Sequence, residues 1–252
     1  MAEPDFISTT SGRRIAFHQT PGDGPGVVFL GGFKSDMDGT KAIYLEDWAK
    51  RTGRAFLRFD YSGHGSSSED FLDGSIGDWA EDAMAAIGTL TEGPQVLVGS
   101  SMGGWIALLV ARTLPTRVAA LVGIAAAPDF TEDSMWAGFD LSQRTALQAN
   151  GRVELPSDYS DDPYIITHRL IEDGRSQLVL RDPLPLPFPV RLLHGTADED
   201  VEMSVALRLM DHAESPDLRL TFVKGADHRF SDDNCLAMIK DAIDDVTARV
   251  AQ

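Results

Sequence analysis

Three polar residues far apart in the chain carry the side chains that nucleophilic catalysis requires: Ser101, Asp198 and His228. Ser101 is the centre of Gly99-Ser100-Ser101-Met102-Gly103, a G-x-S-x-G pattern. A serine hydroxyl attacks poorly until an imidazole takes its proton, and the imidazole works best when a carboxylate fixes its tautomer. His228, in Gly225-Ala226-Asp227-His228-Arg229, would be that base. The acid would come from Thr196-Ala197-Asp198-Glu199-Asp200, with Asp198 preferred and Asp200 the runner-up. The competing role for either aspartate is to cap a helix beginning near Val201. Attack on a carbonyl also needs donors for the oxygen that becomes negative. The backbone N–H of Met102 is one candidate, and the N–H of Phe33, which follows Gly31-Gly32, is the other. Together these groups would open an ester or thioester through an acyl-serine and release the acid with water, with no cofactor and no metal.

Such groups act only if the fold brings them together, and the flanking residues indicate how. Gln95 to Val98 is short and largely apolar, as in a strand buried on both faces. Trp105 to Ala111 is apolar all round, as in a helix inside a core. Between them, Gly99 and Gly103 let strand and helix approach closely and push Ser101, rather than Ser100, outward at the helix N-terminus. Upstream, Phe6 to Gln19 reads as a hairpin turning at Ser11-Gly12, Val27 to Leu30 as the first wholly apolar strand, and Lys41 to Arg51 as a helix ended by Gly53. Ala55 to Phe59 is a further strand. It runs into the turn from Asp60 to Ser66, where His64 is assigned a structural or solvent-facing role. Ser75 caps a helix with Ile76, Trp79, Ala83, Ile87 and Leu90 at spacings of three and four. Downstream come strands at Val118 to Ala127, Val190 to Leu193 and Leu218 to Val223, then a terminal helix with Leu236, Ile239, Ile243 and Val246 as its apolar stripe. This alternation predicts one α/β domain over 1–252, a mostly parallel central sheet with helices on both faces.

The rhythm breaks between Asp129 and Pro189, which hold eleven acidic and five basic residues and prolines at 183, 185, 187 and 189. A strand is overdue there, so the segment 129–189 reads as an insertion of mixed helix and loop above the sheet, a lid. Its larger side chains include Trp136 and Tyr159. Met135, Trp136, Phe139, Leu141 and Leu147 would line a substrate pocket or form the insertion's own small core.

Composition removes several classes of partner. With 22 basic and 39 acidic residues the net charge is −17, which repels nucleic acid and anionic membrane surfaces. The run from Val118 to Ala127 is about half of what would span a bilayer. Cys235 is the single cysteine, so no internal disulfide forms, and the six histidines lack the H-x-x-x-H spacing of a metal site. The opening residues MAEPDFISTT show no basic stretch followed by an apolar one, which leads us to expect a soluble, cytoplasmic protein. Nothing in the sequence speaks to an oligomeric state.

Taken in order, GGF, DYSGHGSS, GSSMGGW, RLLHGTADEDV and GADHRF resemble the α/β-hydrolases, whose triads run Ser, Asp, His along the chain. More narrowly the chain is similar to the palmitoyl-protein thioesterases that also act as acyl-glucuronide esterases, the α/β-hydrolase domain-containing protein 10 type. The shared words include GTKA at Gly39 to Ala42, RFDYSG at Arg58 to Gly63 and DHR at Asp227 to Arg229. The resemblance implies an α/β-hydrolase fold, Ser101 as nucleophile, Asp198 as acid and His228 as base, acting on an acyl ester or thioester. The same fold also carries C–C bond hydrolases, acyltransferases and silent binding proteins, which remain alternative readings.

Overall fold

The computed structural model describes residues 3–155 and 163–250. Side chains on its strands alternate between two apolar layers, which is why the sheet is covered on both faces. In β3 (Asp23–Leu30), Val28 and Leu30 enter one layer while Val27 and Phe29 enter the other. In β5 (Gln95–Ser100), Leu97 joins the first layer and Val96 and Val98 the second. The first layer is closed by α2 (Ile76–Leu90) and α3 (Met102–Thr113), the second by α1 (Thr40–Thr52) and α7 (Asp233–Val250). Ser75 accepts a hydrogen bond from the Asp78 N–H and so caps α2, while α3 is buried from Met102 through Ala111.

Eight strands form the sheet in the order β1-β2-β4-β3-β5-β6-β10-β12. The hairpin of β1 (Asp5–Ser8) and β2 (Arg14–Thr20) is antiparallel, and β2 meets β4 (Arg54–Phe59) antiparallel as well. From β4 onward every pairing is parallel, through β6 (Val118–Ile124), β10 (Val190–Gly195) and the edge strand β12 (Leu218–Val223). This register places Leu30 beside Gly99, Ser100 beside Ile124, and Gly195 beside Val223. The loops after β3, β5, β10 and β12 therefore leave the same edge of the sheet.

Two strand boundaries differ from the sequence reading by three residues or more. The strand expected to run to Ala127 ends at Ile124, because Ala125 turns to φ 45° and the backbone leaves the sheet. The strand expected to begin at Val27 begins at Asp23, since a register shift between Asp23 and Val27 absorbs the Pro/Gly cluster within the pairing with β4.

The segment 129–189 enters after β6 and returns at β10. It holds a π-helical turn (Thr131–Trp136), α4 (Leu141–Asn150), the antiparallel pair β7 (Arg152–Leu155) and β8 (Tyr164–Thr167), and α5 (His168–Ser176). A two-residue strand, β9 (Leu184–Pro185), pairs with β11 (Ala213–Glu214), which follows α6 (Met203–His212). Its content is thus helix, loop and a small hairpin, and Tyr159 lies outside the described residues. Phe139, Leu147, Ile166 and Ile171 are buried in the same apolar layer as α2 and α3, so the described residues of the segment form no separate core. Leu141, expected to line a pocket or join the insertion's own core, is 82% exposed and is not part of that buried layer. Among the described residues no helix is long and apolar enough to cross a membrane.

Asp129 anchors the start of this segment to its end. Its carboxylate is buried, with the backbone at φ 60°, and accepts the N–H groups of Val179 at 2.8 Å and Leu180 at 3.0 Å as well as the Arg181 guanidinium at 3.2 Å. Removing the acceptor leaves two buried N–H groups unpaired, each a loss of about 1–3 kcal/mol. Asp129→Ala should lower the unfolding free energy by about 3 kcal/mol in urea titration. A change within 0.5 kcal/mol of zero would show that the clamp contributes nothing.

Candidate active site

At the end of β5 the chain must turn into α3 within one residue, and that residue is Ser101, with φ 54° and ψ −118°. A non-glycine side chain rarely adopts this conformation, and neighbouring contacts must impose it. Its N–H donates to the Ile124 carbonyl at 2.9 Å, and its own carbonyl accepts from Gly104 at 2.9 Å and Ala127 at 3.1 Å. The glycines are needed for approach. A Cβ on Gly99 would lie 2.3 Å from the Gly103 carbonyl oxygen, and one on Gly103 would lie 2.0 Å from that of Leu30.

The loops after β10 and β12 complete the line. His228 Nε2 lies 3.0 Å from Ser101 Oγ, and its Nδ1 lies 2.9 Å from Asp198 Oδ2 and 3.1 Å from Oδ1. The Asp198 side chain is fully buried and that of His228 is 20% exposed. Asp198 also accepts the N–H groups of Asp200 at 3.0 Å and Val201 at 2.8 Å, a local turn that aims the carboxylate at His228. Burial pushes its pKa up, but the hydrogen bonds from His228 and Val201 and the nearby imidazoles of His228 and His194 outweigh this and hold it below the ordinary carboxylate value. Asp200 is exposed and sits one step back. Neither aspartate caps α6, whose N-cap is Glu202 without a side-chain bond. One ligand atom each from Asp198, Asp200 and His228 lies within 4.8 Å of the others. A cation there would have to displace the bond between Asp198 and His228 Nδ1.

The loop after β3 runs against the serine, so that a Cβ on Gly32 would lie 3.5 Å from Ser101 Cβ. Among the described residues the backbone N–H groups of Phe33 and Met102 donate to no acceptor. Sequence reasoning missed what steadies this loop. Asp60 accepts the Met37 N–H at 2.6 Å and the Ser66 N–H at 2.8 Å, and burial raises its pKa to about 6. Buried Arg58 donates to the Met37 carbonyl at 3.0 Å and to Asp38 at 2.6 Å. The Phe33 ring lies among Phe71, Trp79, Phe130 and Tyr164, with centroids 4.9 to 6.4 Å away.

Residues 27–240 match the alpha/beta hydrolase family. The chain belongs to that family. The mitochondrial palmitoyl-protein thioesterase ABHD10 of Rattus norvegicus is 36% identical over 238 residues, covering 94% of this chain and 80% of that protein. Among solved structures, alpha/beta hydrolase domain-containing protein 10 from mouse has a TM-score of 0.91 at 33% identity, covering 99% of this chain and 100% of that one. A putative hydrolase from Agrobacterium vitis S4 has a TM-score of 0.93 at 39% identity, covering 97% and 98%. The protein is therefore a hydrolase of the α/β-hydrolase fold.

Two further residues support the two loops of this α/β-hydrolase that carry imidazole and carboxylate. His194, on β10, lies with Nε2 2.9 Å from the Val201 carbonyl and 3.6 Å from Asp198, bracing the acid from behind. Lys41, within the GTKA word, donates to the Arg229 carbonyl next to His228. Burial lowers the Lys41 pKa from 10.5 to about 8, against the opposing pull of Asp227. Between these two values the unfolded chain holds a proton that the folded protein has released, so stability from this group rises with pH. Urea titrations of wild type and Lys41→Met at pH 7.5 and 9.5 should show wild type gaining on the variant at the higher pH. A difference that does not change with pH would contradict the burial argument.

Proposed function

We propose that this protein is a serine hydrolase that cleaves acyl esters and thioesters through an acyl-enzyme, with Ser101 as nucleophile, His228 as base and Asp198 as acid. The observation that carries this reading is the unbroken line from Ser101 Oγ through His228 to a buried carboxylate, at 3.0 and 2.9 Å, built on a serine held at φ 54°. Asp198 keeps the proton on Nδ1, leaving Nε2 to take the one from Ser101 as Oγ attacks. The oxyanion lies between the N–H groups of Phe33 and Met102, each such donor typically contributing about 3 kcal/mol in the transition state. His228 then gives its proton to the leaving group and activates the water that releases the acid.

The segment 129–189 serves as the lid. Phe130 and Tyr164 reach from it to the ring of Phe33, which brings apolar surface to the serine. An acyl chain gains up to about 0.8 kcal/mol for each methylene it buries there. Two of the segment's arginines, Arg144 and Arg175, offer little to an anionic carrier. Arg175 is bonded to Glu132 and Glu172 and stacks 4.5 Å over Trp136, while Arg144 donates to the Trp136 carbonyl and stacks 5.1 Å over the same ring. With a net charge of −17, this favours neutral carriers such as S-acyl protein thiols over coenzyme A. The name palmitoyl-protein thioesterase borne by the rat relative agrees with that preference.

A fluorophosphonate probe should label Ser101, and Ser101→Ala should lose labelling and turnover together. His228→Ala should lose a similarly large factor and the double variant little more, because the residues act as a unit. Asp198→Asn should reduce kcat on the order of 10⁴-fold through the wrong imidazole tautomer, while Asp200→Asn stays near wild type. Labelling that persists in Ser101→Ala, or the reverse ranking of the two aspartates, would refute the assignment.

Chain length and carrier test the lid separately. With matched ester and coenzyme A carriers bearing C2, C8 and C16 acyl groups, kcat/KM should favour C8 and C16 over C2 and the neutral carrier over coenzyme A. A preference for acetyl or for coenzyme A would show that the segment 129–189 does not select substrate in this way.

A further inference from the structure

Phe33 and Lys34 are the central residues of a four-residue turn closed by the Ser35 N–H on the Gly32 carbonyl, at 3.1 Å. Lys34 is the left-handed member, at φ 57°. A lysine gains nothing intrinsic from that conformation. Rotating the peptide between Phe33 and Lys34 by about half a turn would give the commoner turn, with Lys34 at negative φ. Some contact must oppose this flip, and the peptide's N–H makes one: it donates to His64 Nε2 at 3.3 Å.

His64 is built to receive that proton. A backbone N–H only donates, so Nε2 must be the bare nitrogen, and Nδ1 carries the hydrogen and gives it to the Ser62 carbonyl at 3.1 Å. That carbonyl also accepts from the Trp79 indole at 3.0 Å. Ser62 is held in turn, with its N–H and hydroxyl both on Asp82 Oδ2 at 2.9 and 2.6 Å, and Asp82 is paired with Arg13. The ring is 4% exposed and packs edge-on against Tyr61, Phe71 and Trp79 at 5.1 to 5.6 Å. Burial holds its pKa below the ordinary imidazole value, which keeps the accepting form in place.

We propose that His64 is a positioning residue of the oxyanion site: by accepting the Lys34 N–H it ties the turn to a buried ring and so holds in place the loop that presents the Phe33 N–H to Ser101. It touches no substrate. The inference rests on the serine-hydrolase reading above and adds to it the residue that sets one of the two donors.

Two variants separate hydrogen bonding from packing, read with p-nitrophenyl octanoate. His64→Leu removes the acceptor and should lower kcat on the order of 10²-fold with KM little changed, the size of effect expected when a catalytic contact is misplaced by about 1 Å. His64→Gln keeps an acceptor near the Nε2 position and should recover most of the loss. Equal loss in the Gln and Leu variants, or full activity in His64→Leu, would each overturn the proposal. Imidazole ¹³C and ¹⁵N shifts of the wild-type protein supply a test independent of folding in the variants: the Nδ1–H tautomer is expected for His64, and the Nε2–H tautomer would exclude that bond. Absence of both ester turnover and Ser101 labelling in wild type would instead fail the hydrolase reading, leaving the tautomer to decide the His64 geometry.

Discussion

A serine at φ 54° and ψ −118° is a conformation that the local sequence resists, and the rest of the molecule is arranged to keep it. The turn survives because β5 and α3 cannot separate. Both are buried along their length, and the two glycines let the helix start against the strand and against the Leu30 carbonyl. Strain of this kind costs on the order of 1–3 kcal/mol, small against the burial of a helix that is apolar on every face. What the strain secures is an exposed Oγ beside unpaired N–H groups at a helix start, the local field in which negative charge can form.

The other loops of the site are held to the same standard by different means. The imidazole and carboxylate loops leave adjacent parallel strands and are stitched together by the Ala197 N–H on the Ala226 carbonyl at 3.0 Å and the Gly225 N–H on Thr196 Oγ1 at 2.9 Å. The loop after β3 is tied to buried ionic groups, Arg58 and Asp60, from a strand two places away from the serine. Each loop is therefore rigid through its neighbours, which is how short irregular segments can place atoms to within fractions of an ångström.

Much of this was legible in the sequence because local patterns announced it. The elbow, the acidic loop and the histidine loop each lie where a strand pattern ends, and the structure brings Ser101, Asp198 and His228 within hydrogen-bond reach of one another. Other features depend on partners distant in sequence. Nothing near Lys41 says that its amine will meet a carbonyl 188 positions later. His64 reads as one more polar residue in a Gly/Ser turn, and only the packing of Tyr61, Phe71 and Trp79 makes it a buried ring with both nitrogens committed. The preference for Asp198 over Asp200 was made on the sequence, but its physical ground, the turn that points one carboxylate inward, was not legible there. Leu141 was misplaced for a plainer reason: it is the first residue of α4, where a capping box from Asp140 and Gln143 sets the helix start irrespective of what the leucine faces.

The segment 129–189 shares its buried side chains with the layer that holds α2 and α3. Phe139, Leu147, Ile166 and Ile171 thus belong to the packing of the fold itself, and any change in their volume is felt by α2 and α3. Truncating such a buried side chain to alanine typically costs 2–5 kcal/mol, a large part of the total stability of a domain. On the proposed role of this segment as a lid, drift toward new substrates is confined to its exposed rim or must arrive with compensating changes beneath it, so that substrate range and thermal tolerance evolve as one trait.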